Sequence, residues 1–281
     1  SGGNNTNNNS NSNNNNNIIN DKQLFNNKIF NLNSHFNNSS LLIFSLNIRN
    51  IKTSIHLLQE LLEQVNVDII CLQEIKRIKR NKLNDIFPNW NIISFELQSK
   101  YGGTLIMIRK CHKFKRIILF SKKTINHIYN EYMKQFEQEE NNKKFTIDKI
   151  LFERFSICKL FTNNNCYIII SLYQFTNNND IKYIPHLYNV ISSIANYFYG
   201  KFKIIIASDL NTFLDKNLDQ SSTKNNHHRL ASHLRKFYNS NNFLLDTFRS
   251  IHPHLKKFSF KTTSRIDAFI NCDYCKVLEC N

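Results

Sequence analysis

Four apolar runs in this chain each stop on a side chain able to hold a cation or a water molecule. LLIFSLN stops on Asn47 and VDIICLQE on Glu74, while KIIIASDLN carries Asp209 and Asn211 and SRIDAFI carries Asp267. Short apolar runs rich in β-branched residues predict strands. Strands that end at one edge of a sheet bring their last side chains together however far apart they lie in sequence, and in α/β proteins ligands gather at that edge. A single acid there is an ordinary turn residue. Four such endings predict a site, and they require a fold in which strand ends converge.

The surrounding pattern supplies the fold class. After a predicted strand at 41–47, Ile51, Ile55, Leu58, Leu61, Leu62 and Val65 recur at helical spacing. Further strands are predicted at 67–72, 91–96, 104–108, 155–160, 166–173, 202–207, 244–248, 257–260 and 266–271. Pro185 opens a helix that Gly200 stops, and a second helix is predicted over 227–238. Only five glycines occur, so the pair Gly102-Gly103 marks a backbone requirement. Helix-prone, charged residues 124–147 read as a surface-exposed insertion. Strands and helices alternate early and strand pairs dominate later, which predicts an α/β fold: a two-sheet β-sandwich core flanked by helices. Residues 1–39 are Asn/Ser-rich and predict a disordered tail, leaving 40–281 as the folded domain. The chain opens on Ser1, which reads as a fragment or a processed chain.

Composition narrows the partner. A net charge of +16 and a pI near 9.5 suit a polyanion, nucleic acid first and an anionic membrane surface second. Codon bias in an AT-rich genome inflates Lys, Asn and Ile together and is the competing explanation. No stretch is long and apolar enough to span a membrane, and no signal peptide is present. Seven scattered cysteines suggest buried thiols in a reducing, intracellular compartment. Cys272-x-x-Cys275 followed by Cys280 lacks a fourth ligand at zinc-knuckle spacing. Nothing in the sequence points to an obligate protein partner.

The donor types at the strand ends decide the chemistry. Carboxylate and amide oxygens without a cysteine or paired-histidine cluster suit a hard cation, Mg²⁺ or Mn²⁺. Such an ion can neutralise charge developing on a phosphodiester oxygen and its leaving group. Alternation in a strand places residues i and i+2 on one side, so Asp209 and Asn211 are expected to act on one atom.

These residues carry a family resemblance. SLNIRNI, VDIICLQEIK, YGGTLIMIRK, IISLYQF, IIIASDLNTFL, LLDTFRSIHP with FSF, and SRIDAFI resemble, in order, the motifs of the endonuclease/exonuclease/phosphatase superfamily, the DNase-I-like fold. The resemblance spans about residues 40–275 and implies a four-layer architecture. It implies that Glu74 ligates the catalytic Mg²⁺ with Asn47 beside it, and that Asp209 activates or orients the attacking water. It implies that Asn211 holds the phosphate or that water, that Tyr173 touches the scissile phosphate, and that Asp267 orients a histidine. Arg265 is implied to support the Asp267 strand or to bind backbone phosphate. Phe258 and Phe260 lie near a nucleotide pocket or are ordinary core aromatics.

Lys76, two residues after Glu74, and the Asp246-Thr247-Phe248-Arg249 run are similar to the exonuclease III and apurinic endonuclease branch. Only three residues separate Phe260 from Ser264, as in the endonuclease domains of non-LTR retrotransposons. The resemblance therefore implies a DNA endonuclease of retroelement type, working in the nucleus, with Lys76, Arg265 and Phe260 on the substrate. The chain departs from the family pattern at Tyr173-Gln174-Phe175, where a proline is usual, in the insertion, and in the absence of a Ser-Asp-His motif after Asp267. That last departure predicts a missing final strand and an incomplete catalytic set. The competing readings are a catalytically dead nucleic-acid-binding module, and a phosphatase or lipid phosphodiesterase of the same fold.

Overall fold

The computed structural model describes residues 40–99, 102–111, 113–136, 145–176, 178–220, 230–259, 265–273, 275–277 and 280. The predicted tail, 1–39, lies outside them, as do Phe260, His227 and His228. Ten strands form two sheets among the described residues. The first holds β1 (Ile43–Asn47), β2 (Ile69–Gln73), β3 (Trp90–Ile93) and β4 (Thr104–Arg109) in the order β1-β2-β4-β3. The second holds β5 (Phe114–Leu119), β6 (Phe155–Thr162), β7 (Cys166–Tyr173), β8 (Lys203–Asp209), β9 (Leu244–Asp246) and β10 (Asp267–Cys272) in the order β5-β6-β7-β8-β10-β9.

Period-two alternation decides how the layers stack. On β2, Ile70 and Leu72 face an outer core with Leu105 and Met107 of β4, beneath α1 (Ile51–Gln64) and α2 (Arg80–Ile86). Their neighbours Ile69 and Cys71 face the other sheet, meeting Cys158, Leu160, Ile169 and Ala207. On the second sheet Ile168, Ile170, Leu172, Ile204 and Ile206 turn outward. They form the largest core with α3 (Lys122–Lys134), α4 (Ile184–Phe198) and α6 (Ala231–Ser240); the short α5 (Lys216–Asp219) lies between the last two in sequence. The result is helix, sheet, sheet, helix: the predicted four layers. Two pairs are parallel, β1 with β2 and β7 with β8, and each is bridged by a single helix, α1 or α4, as a parallel connection requires.

Local chemistry starts and stops these elements. The Asn50 side chain accepts from the Lys52 amide at 3.1 Å to cap α1. Proline stands in the first turn of α4, and Gly200 just past its end has φ 77°.

Three expectations need correction. The stretch read as an exposed insertion holds α3, whose Ile125, Ile128 and Tyr129 are buried in the main core, so this segment is structural at least through its helix. The strand predicted at 244–248 ends at Asp246. That side chain accepts from the Arg249 amide at 3.2 Å and caps α7 (Thr247–Ile251), because a carboxylate at a helix start competes with strand continuation. The strand predicted at 257–260 is irregular where described. The sequence pattern also does not announce α2 or β5; β5 is an edge strand whose Lys115 and Arg116 face solvent, so its alternation is weak. Among the described residues β1 is likewise an edge strand, and no helix is long and apolar enough to cross a membrane.

Candidate active site

The layer between the sheets changes character along its length. Its middle is apolar, but toward the strand ends it becomes Ser45, Gln73, Thr104, Ser156 and Ser171. Gln73 Nε2 donates to Ser45 Oγ and Ser171 Oγ at 3.2 Å each, and the Thr104 and Ser156 hydroxyls meet at 2.9 Å. One step further lie the chemically active groups. Asn47, Tyr173, Asp209 and Asp267 share strand parity with Ile43, Ile169, Ile205 and Phe269, all of which pack in the inter-sheet core. Register aligns them: Asp209 stands opposite Tyr173 on one side and Asp267 on the other. The strand endings that are remote in sequence thus meet at one end of the sandwich.

Hydrogen bonds knit them together. Asn47 Nδ2 donates to Glu74 Oε1 at 2.8 Å and to Asp209 Oδ2 at 2.7 Å, while its carbonyl accepts from the Arg49 amide at 3.0 Å. The Tyr173 hydroxyl donates to Glu74 Oε1 at 3.0 Å. Asp209, 1% exposed, also accepts from the Asn211 amide at 3.1 Å. Burial, then the neighbouring Asp267 carboxylate, pushes the Asp209 carboxyl well above the usual range; the Asn47 and Asn211 bonds pull the other way. Burial and then the Glu74 charge raise the Tyr173 phenol, so it stays a donor.

Backbone strain is concentrated here. Among the described residues the non-glycine positions with left-handed φ are Arg49 (56°), Glu74 (56°), Lys76 (52°) and Asn211 (49°), and each flanks or belongs to this cluster. For Glu74 the reason is visible. Strand alternation would turn it outward with Ile70 and Leu72, and the left-handed turn after β2 brings it back to Asn47 and Tyr173. Asn211 departs from the same-side expectation, because β8 ends at Asp209. Its side-chain amide donates to the Gln174 carbonyl at 3.1 Å and pins the β7 and β8 ends together.

Among the other predicted residues, Lys76 is half-buried beside Glu74. Arg265, 8% exposed, donates from Nε to Asp219 Oδ1 at 2.9 Å and through its terminal nitrogens to Asp246. Its charge is engaged within the fold, in the strand-supporting arrangement. Phe260 lies outside the described residues.

Sequence reasoning missed three residues. Ser259 accepts from the Ile266 and Asp267 amides at 3.2 and 3.1 Å and fixes the start of β10. Asp219 binds both Arg249 and Arg265. Arg154 lies under Tyr173, its guanidinium 5.1 Å from that ring centre and 4.2 Å from that of Phe175. No motif flags Asp219 or Arg154, and the FSF motif that holds Ser259 gives no sign of its contacts with β10. Among the described residues no three His, Cys, Asp or Glu side chains form a ready metal cluster. Any cation here would use carboxylate and amide oxygens together with water.

With this geometry in view, the architecture is the DNase-I-like fold. The chain is similar to the catalytic domain of Xenopus laevis APE2, with 19% identity, a TM-score of 0.61 and 82% of each chain covered. It is similar to the AP endonuclease LMAP of Leishmania major at 12% identity and a TM-score of 0.58, covering 84% of this chain and 80% of that one. It is also similar to the 3′ phosphatase NExo from Neisseria bound to a product DNA hairpin, at 13% identity, a TM-score of 0.56 and coverage of 83% and 87%. No family model and no curated protein matches the sequence.

Proposed function

We propose that this chain is a divalent-metal-dependent phosphodiesterase acting on nucleic acid, specifically an endonuclease on DNA. The observation that carries the reading is the convergence of five residues from five strand ends: Glu74, Asn47, Asp209 and Tyr173 form one bonded cluster with strained flanks, and Asp267 stands opposite Asp209 in the β8–β10 pair. The structural neighbours that are named for DNA work support it, as does the net charge of +16, which favours a polyanionic substrate.

The donor set fits Mg²⁺ or Mn²⁺. Asp209 and Asp267 are adjacent acids at a buried strand end, an arrangement a cation relieves, and Glu74 offers a half-buried carboxylate beside them. Mg²⁺ needs only one or two protein carboxylates and keeps several waters. In this proposal Glu74 holds the ion with Asn47 beside it. When bound, the cation would neutralise charge on the phosphodiester oxygens. Asp209 takes or orients the proton of the attacking water, and Asn211 keeps that loop in place. Tyr173 donates its hydroxyl toward the phosphate, and Asp267 orients a general acid. Lys76 contacts the substrate backbone, and Arg265 holds β10 through Asp219 and Asp246. The short interval between Phe260 and Ser264 supports a retroelement-type endonuclease, with Phe260 near the nucleotide. Residues 40–281 are the proposed domain, and chromosomal DNA as substrate places it in the nucleus.

The test is nicking of supercoiled plasmid with Mg²⁺ by the wild type and by Glu74→Ala. The expected loss is about 10²–10⁴-fold, the scale for removing one positioned catalytic group. Salt-sensitive DNA binding that survives both Glu74→Ala and chelation, with no nicking by the wild type, would replace this reading with a binding module. Turnover of a phosphoinositide or sphingomyelin without nicking would replace it with a lipid phosphodiesterase.

A further inference from the structure

Arg154 is 5% exposed, and its Nε is fully enclosed with no hydrogen-bond partner. No carboxylate ion-pairs with it among the described residues. The nearest candidate in sequence, Glu153, accepts instead from the Ser99 hydroxyl at 2.7 Å. Its surroundings are two aromatic faces, Tyr173 and Phe175, and on another side Gly102; the Tyr173 hydroxyl and the Glu153 and Asp180 carboxylates act on its charge without closing an ion pair. A Cβ at Gly102 would lie 2.8 Å from one terminal guanidinium nitrogen and 3.0 Å from the Tyr173 ring. A bare glycine is what allows this close approach.

Burial outweighs those attractions, so the charge is compensated only in part. Cation–π contacts on desolvated rings are worth about 2 kcal/mol. Burying an unpaired cation costs several kcal/mol. A partly compensated buried guanidinium therefore persists at the expense of stability unless a further anion completes it. The position indicates which anion. The Tyr173 ring that covers Arg154 carries the hydroxyl that reaches Glu74 at 3.0 Å, so the guanidinium is one ring away from the acidic cluster. A planar guanidinium matches phosphate oxygens in a fork geometry that a point charge does not.

We infer that Arg154 is a phosphate receptor built into the floor of the site, completed by a phosphate oxygen of the bound substrate on the far side of Tyr173 from Glu74. This rests on the phosphodiesterase reading for the identity of the substrate, but not for the binding of the anion.

Inorganic phosphate is the probe. Thermal unfolding is followed with and without about 10 mM phosphate, against chloride at equal ionic strength, for wild type, Arg154→Met, Arg154→Lys and Glu74→Ala. The wild type and Glu74→Ala should each gain about 3 °C or more. Arg154→Met, which fills the space without the charge, should melt at or above the wild type in chloride and lose the phosphate gain. Arg154→Lys should keep part of that gain. An unchanged phosphate response in Arg154→Met overturns the proposal, as does a wild type that does not respond. Collapse of Arg154→Met together with a full response in Arg154→Lys assigns the side chain to structure alone and also overturns it. Failure of plasmid nicking, by contrast, bears only on the phosphodiesterase reading, because the phosphate response is measured without turnover.

Discussion

Asn47→Ala separates a site held by hydrogen bonds from acids that are merely near one another. The Asn47 amide gives one proton to Glu74 Oε1 at 2.8 Å and one to Asp209 Oδ2 at 2.7 Å, so a single side chain holds two acids from two sheets. A hydrogen bond to a buried charged group contributes about 1.5–3 kcal/mol. The Asp209 end is enclosed and takes that value, whereas the Glu74 end is exposed and is worth below about 1 kcal/mol. The variant should lose about 2–4 kcal/mol, or about 5–15 °C for a domain of this size. The pH dependence makes the test sharper. Asp209 is held above its ordinary carboxylate range, so ionising it costs stability as pH rises through its folded pKa, and the Asn47 bond offsets part of that cost. Removing the donor raises the folded pKa further. In chelator-containing buffer the deficit of Asn47→Ala should be greatest at mildly alkaline pH and shrink as pH falls, because protonation removes the charge that the Asn47 bond stabilises. Urea unfolding across that range measures it. A deficit that is flat with pH, or below about 0.5 kcal/mol throughout, would refute the bridging role.

Two further substitutions probe the supports. Gly102→Ala puts a methyl group 2.8 Å from Arg154 and 3.0 Å from Tyr173, so it should cost about 1–3 kcal/mol by overpacking and shift the Tyr173 hydroxyl off Glu74. Near-ultraviolet circular dichroism and plasmid nicking should both change, and wild-type values in both would contradict the contact. Asp219→Ala leaves Arg249 with backbone carbonyls alone and Arg265 with Asp246 alone, and should cost about 3–5 kcal/mol in thermal unfolding. A loss under 1 kcal/mol would show that the buried ion pairs do not hold β10.

Much of this arrangement is legible before any coordinates. The β2, β7 and β8 runs are apolar on both faces because both faces are covered, and their Glu74, Tyr173 and Asp209 endings stand out against them. Elements that balance local signals were harder to read. The Asp246 carboxylate reads as a strand end but caps a helix, and α3 hides three buried residues among lysines and asparagines. Arg154 carries no motif, and the motifs that hold Gly102 and Ser259 do not say what those residues touch, because that is set by contacts no spacing encodes.

Sequence by itself determined the order of the elements, the parity that sends alternate side chains inward, and the polar residues that end the runs. Those are local properties, set by the two-residue repeat of a strand and the 3.6-residue repeat of a helix. Only the tertiary structure decided which face of each strand became the inter-sheet layer, and that Asp209 would stand between Tyr173 and Asp267. It also decided that left-handed turns would swing Glu74 back into the cluster and that an arginine would be buried against the Tyr173 ring. Those outcomes depend on register and layer packing, where non-local contacts choose among arrangements that local sequence leaves equally open.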